Sequence, residues 1–319
     1  MEPTQEQLRK FMIFNPLAFE KYNAMKLSGR RFVHYSSSEA AFHMIKTNRI
    51  RLRSSSVMND FMEIEHGLNC LVQSWRGEAG EHLRSLIDDM FPGTSEELAK
   101  LFDAWSPLFR EDTYIACLSE HEDKDDVLGR LSMWRAYGGP SGVAVVVNPQ
   151  VFLSVSEALS AFTSPVAYLS AEEFDTEFRR VTGNIEMTRD FLMEGGKEEF
   201  FAYLFQAFRS AVLCTKHPGF AEEKEWRIIY APKYSTSELI EQSVELIRGT
   251  PQIVYSIPFK DYPDKDFVGA ELPKLINRII IGPTQFPQEL RAATIALLDG
   301  ANVPDAANKV VISSIPLRQ

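Results

Sequence analysis

Apolar residues in this chain recur every three or four positions in some stretches; in shorter ones they alternate or run unbroken. Residues 4–27 have the first spacing, with Leu8, Phe11, Met12 and Phe19 on a rough helical face. Pro16 interrupts it, because proline cannot donate the helix hydrogen bond, and Gly29 closes the segment. Residues 31–35 predict a short strand, serines 36–38 the cap of a helix over 39–48, and residues 49–53 a second strand. That second strand alternates, with Ile50 and Leu52 on one face and Arg49, Arg51 and Arg53 on the other. Residues 61–110 read as mostly helical with a break near 91–94, where Thr94 or Ser95 would cap the next helix. Residues 114–118 predict a strand leading into a charged loop over 120–126, then a short helix over 127–138 and a turn over 138–142. The run Val143, Ala144, Val145, Val146, Val147 suits a central strand covered on both faces. Further strands are expected over 162–169, 225–230, 253–259, 278–281 and 310–312, with two long helices over 171–214 broken at Gly195 and Gly196, and a last helix over 286–299.

This pattern predicts an α/β (α+β) fold: a mixed central β-sheet with helical insertions near 61–110 and 171–214. No repeat or low-complexity linker divides the chain, so residues 29–319 read as one domain behind an N-terminal helical extension, 1–28. No apolar run approaches the roughly 20 residues of a membrane-spanning helix, and the N-terminal segment has no apolar core of the secretory kind. Cys70, Cys117 and Cys214 are an odd number without a close pair, which argues against disulfides and cysteine-bound zinc and for a reducing, cytoplasmic setting. With 34 basic and 44 acidic residues the net charge is −10, so any nucleic-acid contact must be local. The chain lacks GxxxxGK[ST], GxGxxG after a strand, HExxH and GxSxG, and its six histidines are scattered, so no metal is expected.

Four clusters could carry chemistry. His34 and Tyr35 end a strand and point to opposite faces; they are either an edge-capping histidine with a core tyrosine or a cleft wall. Asn59, Asp60 and Glu63 form a capping-box-like group that supports the loop after the second strand. Trp134 and Tyr137, three apart, share a helix face that either packs the core or walls a ligand. If residues 223–230 are extended, Glu223, Glu225 and Arg227 share one face, the two carboxylates about 7 Å apart. Such a group is costly to bury without a purpose, though not at a solvated edge. Together His34, Tyr35, Asn59, Asp60, Glu63, Trp134, Tyr137, Glu225 and Arg227 predict one polar cleft.

The order HYSS, IRLRSSSVMNDFMEIEHG, ACLSE, SMWRAYGGPSGVAVVV and KHPGFAEEKEWRIIY resembles the DUF2971 family of bacterial proteins, over roughly residues 30–282. Phe61 stands where that family usually has proline, and Leu118 where it often has phenylalanine. More loosely, the strand–helix–strand opening with its histidine, the central aromatic and the late glutamates are similar to ADP-ribosyltransferases. That resemblance implies NAD as substrate, His34 on the adenosine-side ribose and Tyr137 or Trp134 against nicotinamide. It also implies a Glu-x-Glu motif at Glu223–Glu225 with Glu225 as the reacting carboxylate, while Tyr35 and Tyr114 compete for the middle motif. A carboxylate there stabilises the positive charge that develops on the sugar when the nicotinamide bond breaks. Arg51 and Arg53 would meet pyrophosphate or the phosphates of a nucleic-acid acceptor, unless they are only a solvated strand face. The implied protein is a toxin or antiphage effector that modifies protein or nucleic acid. The alternatives are an NAD glycohydrolase, a nuclease-like enzyme, and a non-catalytic sensor of nucleotide or nucleic acid.

Overall fold

The computed structural model describes residues 3–57, 63–154, 158–247 and 249–317. Asn59 and Asp60, expected to support the site, lie outside them, as does the side chain of Glu63, whose backbone begins a helix.

The strands are β1 (Arg31–Ser37), β2 (Arg49–Ser54), β3 (Tyr114–His121), β4 (Gly142–Val147), β5 (Phe162–Pro165), β6 (Ala167–Tyr168), β7 (Thr215–Lys216), β8 (Glu225–Tyr230), β9 (Glu241–Ile247), β10 (Thr250–Pro258), β11 (Ile276–Ile281) and β12 (Val310–Ile312). Among the described residues they build a ten-stranded sheet in the order β12-β11-β4-β1-β3-β2-β10-β9, with β8 on β3 and β5 on β8, while β6 and β7 form a separate parallel pair. The large sheet is mixed: β11 and β12 run parallel, and the other pairs are antiparallel. The apolar run of β4 sits between β1 and β11 with every residue buried, as a strand covered on both faces requires.

The helices are α1 (Gln5–Phe14), α2 (Pro16–Leu27), α3 (Ser38–Thr47), α4 (Glu63–Arg76), α5 (Glu78–Met90), α6 (Thr94–Glu111), α7 (Leu131–Met133), α8 (Ala171–Met187), α9 (Arg189–Gly195), α10 (Lys197–Cys214), α11 (Leu272–Leu275), α12 (Pro287–Gly300) and α13 (Ala306–Lys309). Ser37 caps α3 by accepting from the Ala40 amide, and Asn48 ends it in a left-handed conformation. Helices α4, α5, α6, α8 and α10 surround a second core, to which Ile115 of β3 and Ile229 of β8 contribute. Within it α4 and α10 touch backbone to backbone: a Cβ on Gly67 would lie 2.4 Å from the Val212 carbonyl oxygen. The N-terminal pair joins this core through Ile13 and Phe14, with Lys10 held by Glu199 at 2.6 Å.

Several boundaries differ from the sequence reading. Neither Thr94 nor Ser95 caps α6 with its side chain; Asp88 of α5 accepts from the Ser95 amide at 2.9 Å and does that work. The 171–214 segment holds three helices, because Thr188 as well as Gly196 breaks it. β3 runs on through Glu120 and His121, which were expected in a loop. Residues 134–138 form a π turn, with Gly139 at φ +56 behind it.

Candidate functional site

β3 positions the chemistry. One edge of it carries β8 from Tyr114 to Ser119. The other is shared: β1 pairs with residues 119–121 and β2 with 114–115. In the gap between those partners the Cys117 carbonyl takes the His34 Nδ1 proton at 2.8 Å. A carbonyl only accepts, so Nδ1 carries the hydrogen. Burial lowers the His34 pKa, partly offset by that hydrogen bond, and the ring is neutral at pH 7. His34 therefore fills a hole in the ladder. It shares its side of β1 with Phe32, which packs on Trp226, whereas Glu225 lies opposite Ser119 and so on the side of Val33. His34 and Glu225 are on different faces, and the expectation of one pocket lined by His34, Tyr137 and Glu225 is corrected accordingly.

Tyr137 and the glutamates do converge. Strand β8 starts at Glu225, because Lys224 is left-handed at φ 46 and Glu223 ends a turn of 3₁₀ helix. The expected extended run over 223–230 is therefore corrected, yet the turn returns Glu223 to the same place. Lys216 Nζ lies 2.7 Å from Glu223 Oε2 and 3.4 Å from Glu225 Oε2. Arg227 grips Glu225 with Nε at 2.9 Å and Nη2 at 3.3 Å. Tyr137 Oη donates to Glu223 Oε1 at 2.7 Å. Tyr168 Oη accepts the Glu225 amide proton at 2.8 Å, and the Cys117 thiol also donates to the Glu225 carboxylate. Behind this group Arg130 holds the turn, donating to the carbonyls of Glu222 and Glu223.

Two acids and two bases share one enclosure. Arg227 is fully buried, Lys216 2% and Glu225 5% exposed, whereas the Glu223 side chain keeps 15%. Burial alone would raise the Glu225 carboxyl; Arg227 and Lys216 outweigh it and hold it at about 2. The Tyr137 hydroxyl is pushed well up by burial and by the charge of Glu223, so it stays a donor. Glu225 was expected to be the reacting carboxylate, but Arg227 pairs with it, and Glu223 is the carboxylate nearer to solvent.

The other expected residues do different work. Trp134 is fully buried, edge-on to Tyr35 with ring centroids 4.9 Å apart, and its indole donates to the Leu128 carbonyl. A Cβ on Gly282 would come within 2.8 Å of its ring, so no ligand reaches that face; the expected aromatic wall is corrected to a core residue. Tyr35 is 6% exposed and accepts from the Arg130 amide at 2.9 Å. Arg51 and Arg53, expected at phosphates, reach Glu245 and Gln252, and Arg49 reaches Glu241. Those acids belong to β9, an unforeseen strand one place beyond β10. Among the described residues there is no group of three His, Cys, Asp or Glu side chains set to hold a metal. No helix is long and apolar enough to cross a membrane, again among the described residues.

Sequence reasoning missed Lys216, Tyr168 and Cys117. Lys216 had one signal: a lysine directly after the apolar end of a helix, Ala-Val-Leu-Cys-Thr, with Glu222, Glu223 and Glu225 following six to nine residues on.

The Glu225 pKa makes a prediction. Its folded value lies below the ordinary 4.5, so its contribution to stability is fully present above about 4.5 and is lost as pH falls toward 2. A shift of that size corresponds to about 3 kcal/mol. Urea unfolding at pH 5 and pH 2.5 is expected to show a larger drop in wild type than in Glu225→Gln, the remainder coming from other carboxylates held low, Asp126 and Asp261 among them; an equal drop in both proteins would refute it.

No curated protein and no solved structure matches the chain. Residues 133–228 match the family described as protein of unknown function (DUF2971). The DUF2971 match therefore spans Tyr137, Lys216, Glu223, Glu225 and Arg227, which build the charged enclosure, as well as the core residue Trp134, and leaves His34 and Arg51 outside it.

Proposed function

We propose that this chain is an ADP-ribosyltransferase-like enzyme that cleaves NAD, with Glu223 as the carboxylate that meets the ribose. One observation carries the reading: Glu223, partly open to solvent, is held between the Lys216 ammonium and the Tyr137 hydroxyl, while Arg227 locks Glu225 behind it. A carboxylate fixed in advance needs no reorganisation when positive charge appears on the sugar, and this is where electrostatic catalysis is strongest. Tyr137 lies beside it as the aromatic neighbour of the nicotinamide. The acceptor is a protein or nucleic acid, and the setting that of a toxin or antiphage effector in the cytoplasm; water as acceptor makes the enzyme a glycohydrolase.

A second reading rests on the pairing itself. All four charges of the enclosure have partners, as a purely structural ion network would, and a nucleotide-sensing module needs no more.

The two glutamines separate these readings. Glu223→Gln is expected to lower nicotinamide release by about 100-fold or more with NAD affinity little changed, the pattern of a group that acts in the transition state. Glu225→Gln is expected to lower stability first. If Glu223→Gln turns over normally while a folded Glu225→Gln is dead, the roles are exchanged; if both retain full activity, the ADP-ribosyltransferase-like reading of this enclosure fails.

A further inference from the structure

A large cavity is lined by none of Lys216, Glu223, Glu225 and Arg227. It measures about 1200 Å³, is partly open to solvent, and sits between α1, α2, β5, α8 and α10. Its walls are mainly apolar, among them Phe11, Phe14, Leu159, Phe162 and Phe178. Small-molecule sites commonly occupy about 300–1,000 Å³ and combine such walls with a few placed polar groups. The placed group here is Lys21. Its ammonium lines the cavity and donates to the Val166 carbonyl at 2.7 Å. Among the described residues no carboxylate lies within ion-pair distance of it. Glu177, also in the wall, is taken up by the Leu17 amide at 3.2 Å and by Arg180 at 3.5 Å. Burial depresses the Lys21 pKa, with Glu120 opposing only in part, so the ammonium lacks a close counter-ion.

We propose that this cavity binds an amphipathic carboxylate of the fatty-acid class, its chain among the phenylalanines and its head on the Lys21 ammonium. An apolar concave surface left to water marks a binding site more often than a packing defect. A partly buried cation without a carboxylate partner favours a ligand that brings one. Phe11 and Phe14 of α1, with Leu17 and Tyr22 of α2, place the N-terminal helices over the ligand, which gives that segment a use apart from the enclosure. The proposal does not rest on NAD cleavage.

The test is calorimetric titration of the full chain with dodecanoate and with dodecan-1-ol, both below their aggregation limits. Wild type is expected to bind one dodecanoate per chain. Lys21→Gln, on a partly buried helical position, is expected to weaken the acid at least tenfold and leave the alcohol within about twofold. Ala211→Phe, which fills the cavity, is expected to abolish both. Absence of dodecanoate binding to wild type overturns the proposal. So does an affinity for the acid that is the same in wild type and Lys21→Gln.

Discussion

Arg227→Met is expected to destabilise the fold by about 3–5 kcal/mol, the usual consequence of stripping one partner from a buried ion pair. Arg227 is fully enclosed and makes two hydrogen bonds to Glu225, whose carboxylate then keeps Lys216, at 3.4 Å, as its one cation among the described residues. Methionine fills much of the volume, so the loss reports on charge more than on packing. The double variant Arg227→Met with Glu225→Gln is expected to recover part of the loss, because the stranded charge is gone. Urea midpoints of the four proteins measure this directly. A single variant within about 1 kcal/mol of wild type would show that the buried pair contributes little to the stability of the fold.

The second large effect belongs to Trp134. Replacing this buried indole with alanine is expected to cost about 3–5 kcal/mol, since the cavity left behind cannot collapse. Tyr35 closes one side; Gly129, Gly142 and Gly282 close the others, each so near that a Cβ would come within 3.0 Å of the ring. Trp134→Phe is expected to cost less, losing the indole bond to Leu128 and part of the volume. Thermal unfolding of both variants checks the order. If alanine costs no more than phenylalanine, the ring is not enclosed as described.

Trp134 also shows where reading the chain alone reaches its limit. At α-helical spacing Trp134 and Tyr137 share a face and therefore a role. The π turn and the glycines separate them, so Trp134 enters the core while Tyr137 reaches Glu223. The alternation of Ile50 and Leu52 against three arginines was legible, and Ile50 and Leu52 are buried. What the arginines face was not legible, because Glu241 and Glu245 lie nearly two hundred residues on and reach them across β10. The run in β4 announced a covered strand, since six consecutive apolar or glycine residues suit little else. The two acids and the arginine near 225 were legible as a group. Their pairing was not, because it depends on a left-handed Lys224 and on a lysine delivered by the short β6–β7 pair. Local pattern speaks to elements; a site assembled from four of them depends on register.

The most direct measurement is the release of nicotinamide from NAD by the purified chain, followed by chromatography over many turnovers. The account predicts release in excess of the protein present, and its loss in Glu223→Gln at unchanged NAD affinity. NAD that binds to wild type and stays intact would contradict it, leaving the enclosure as a structural or sensing feature.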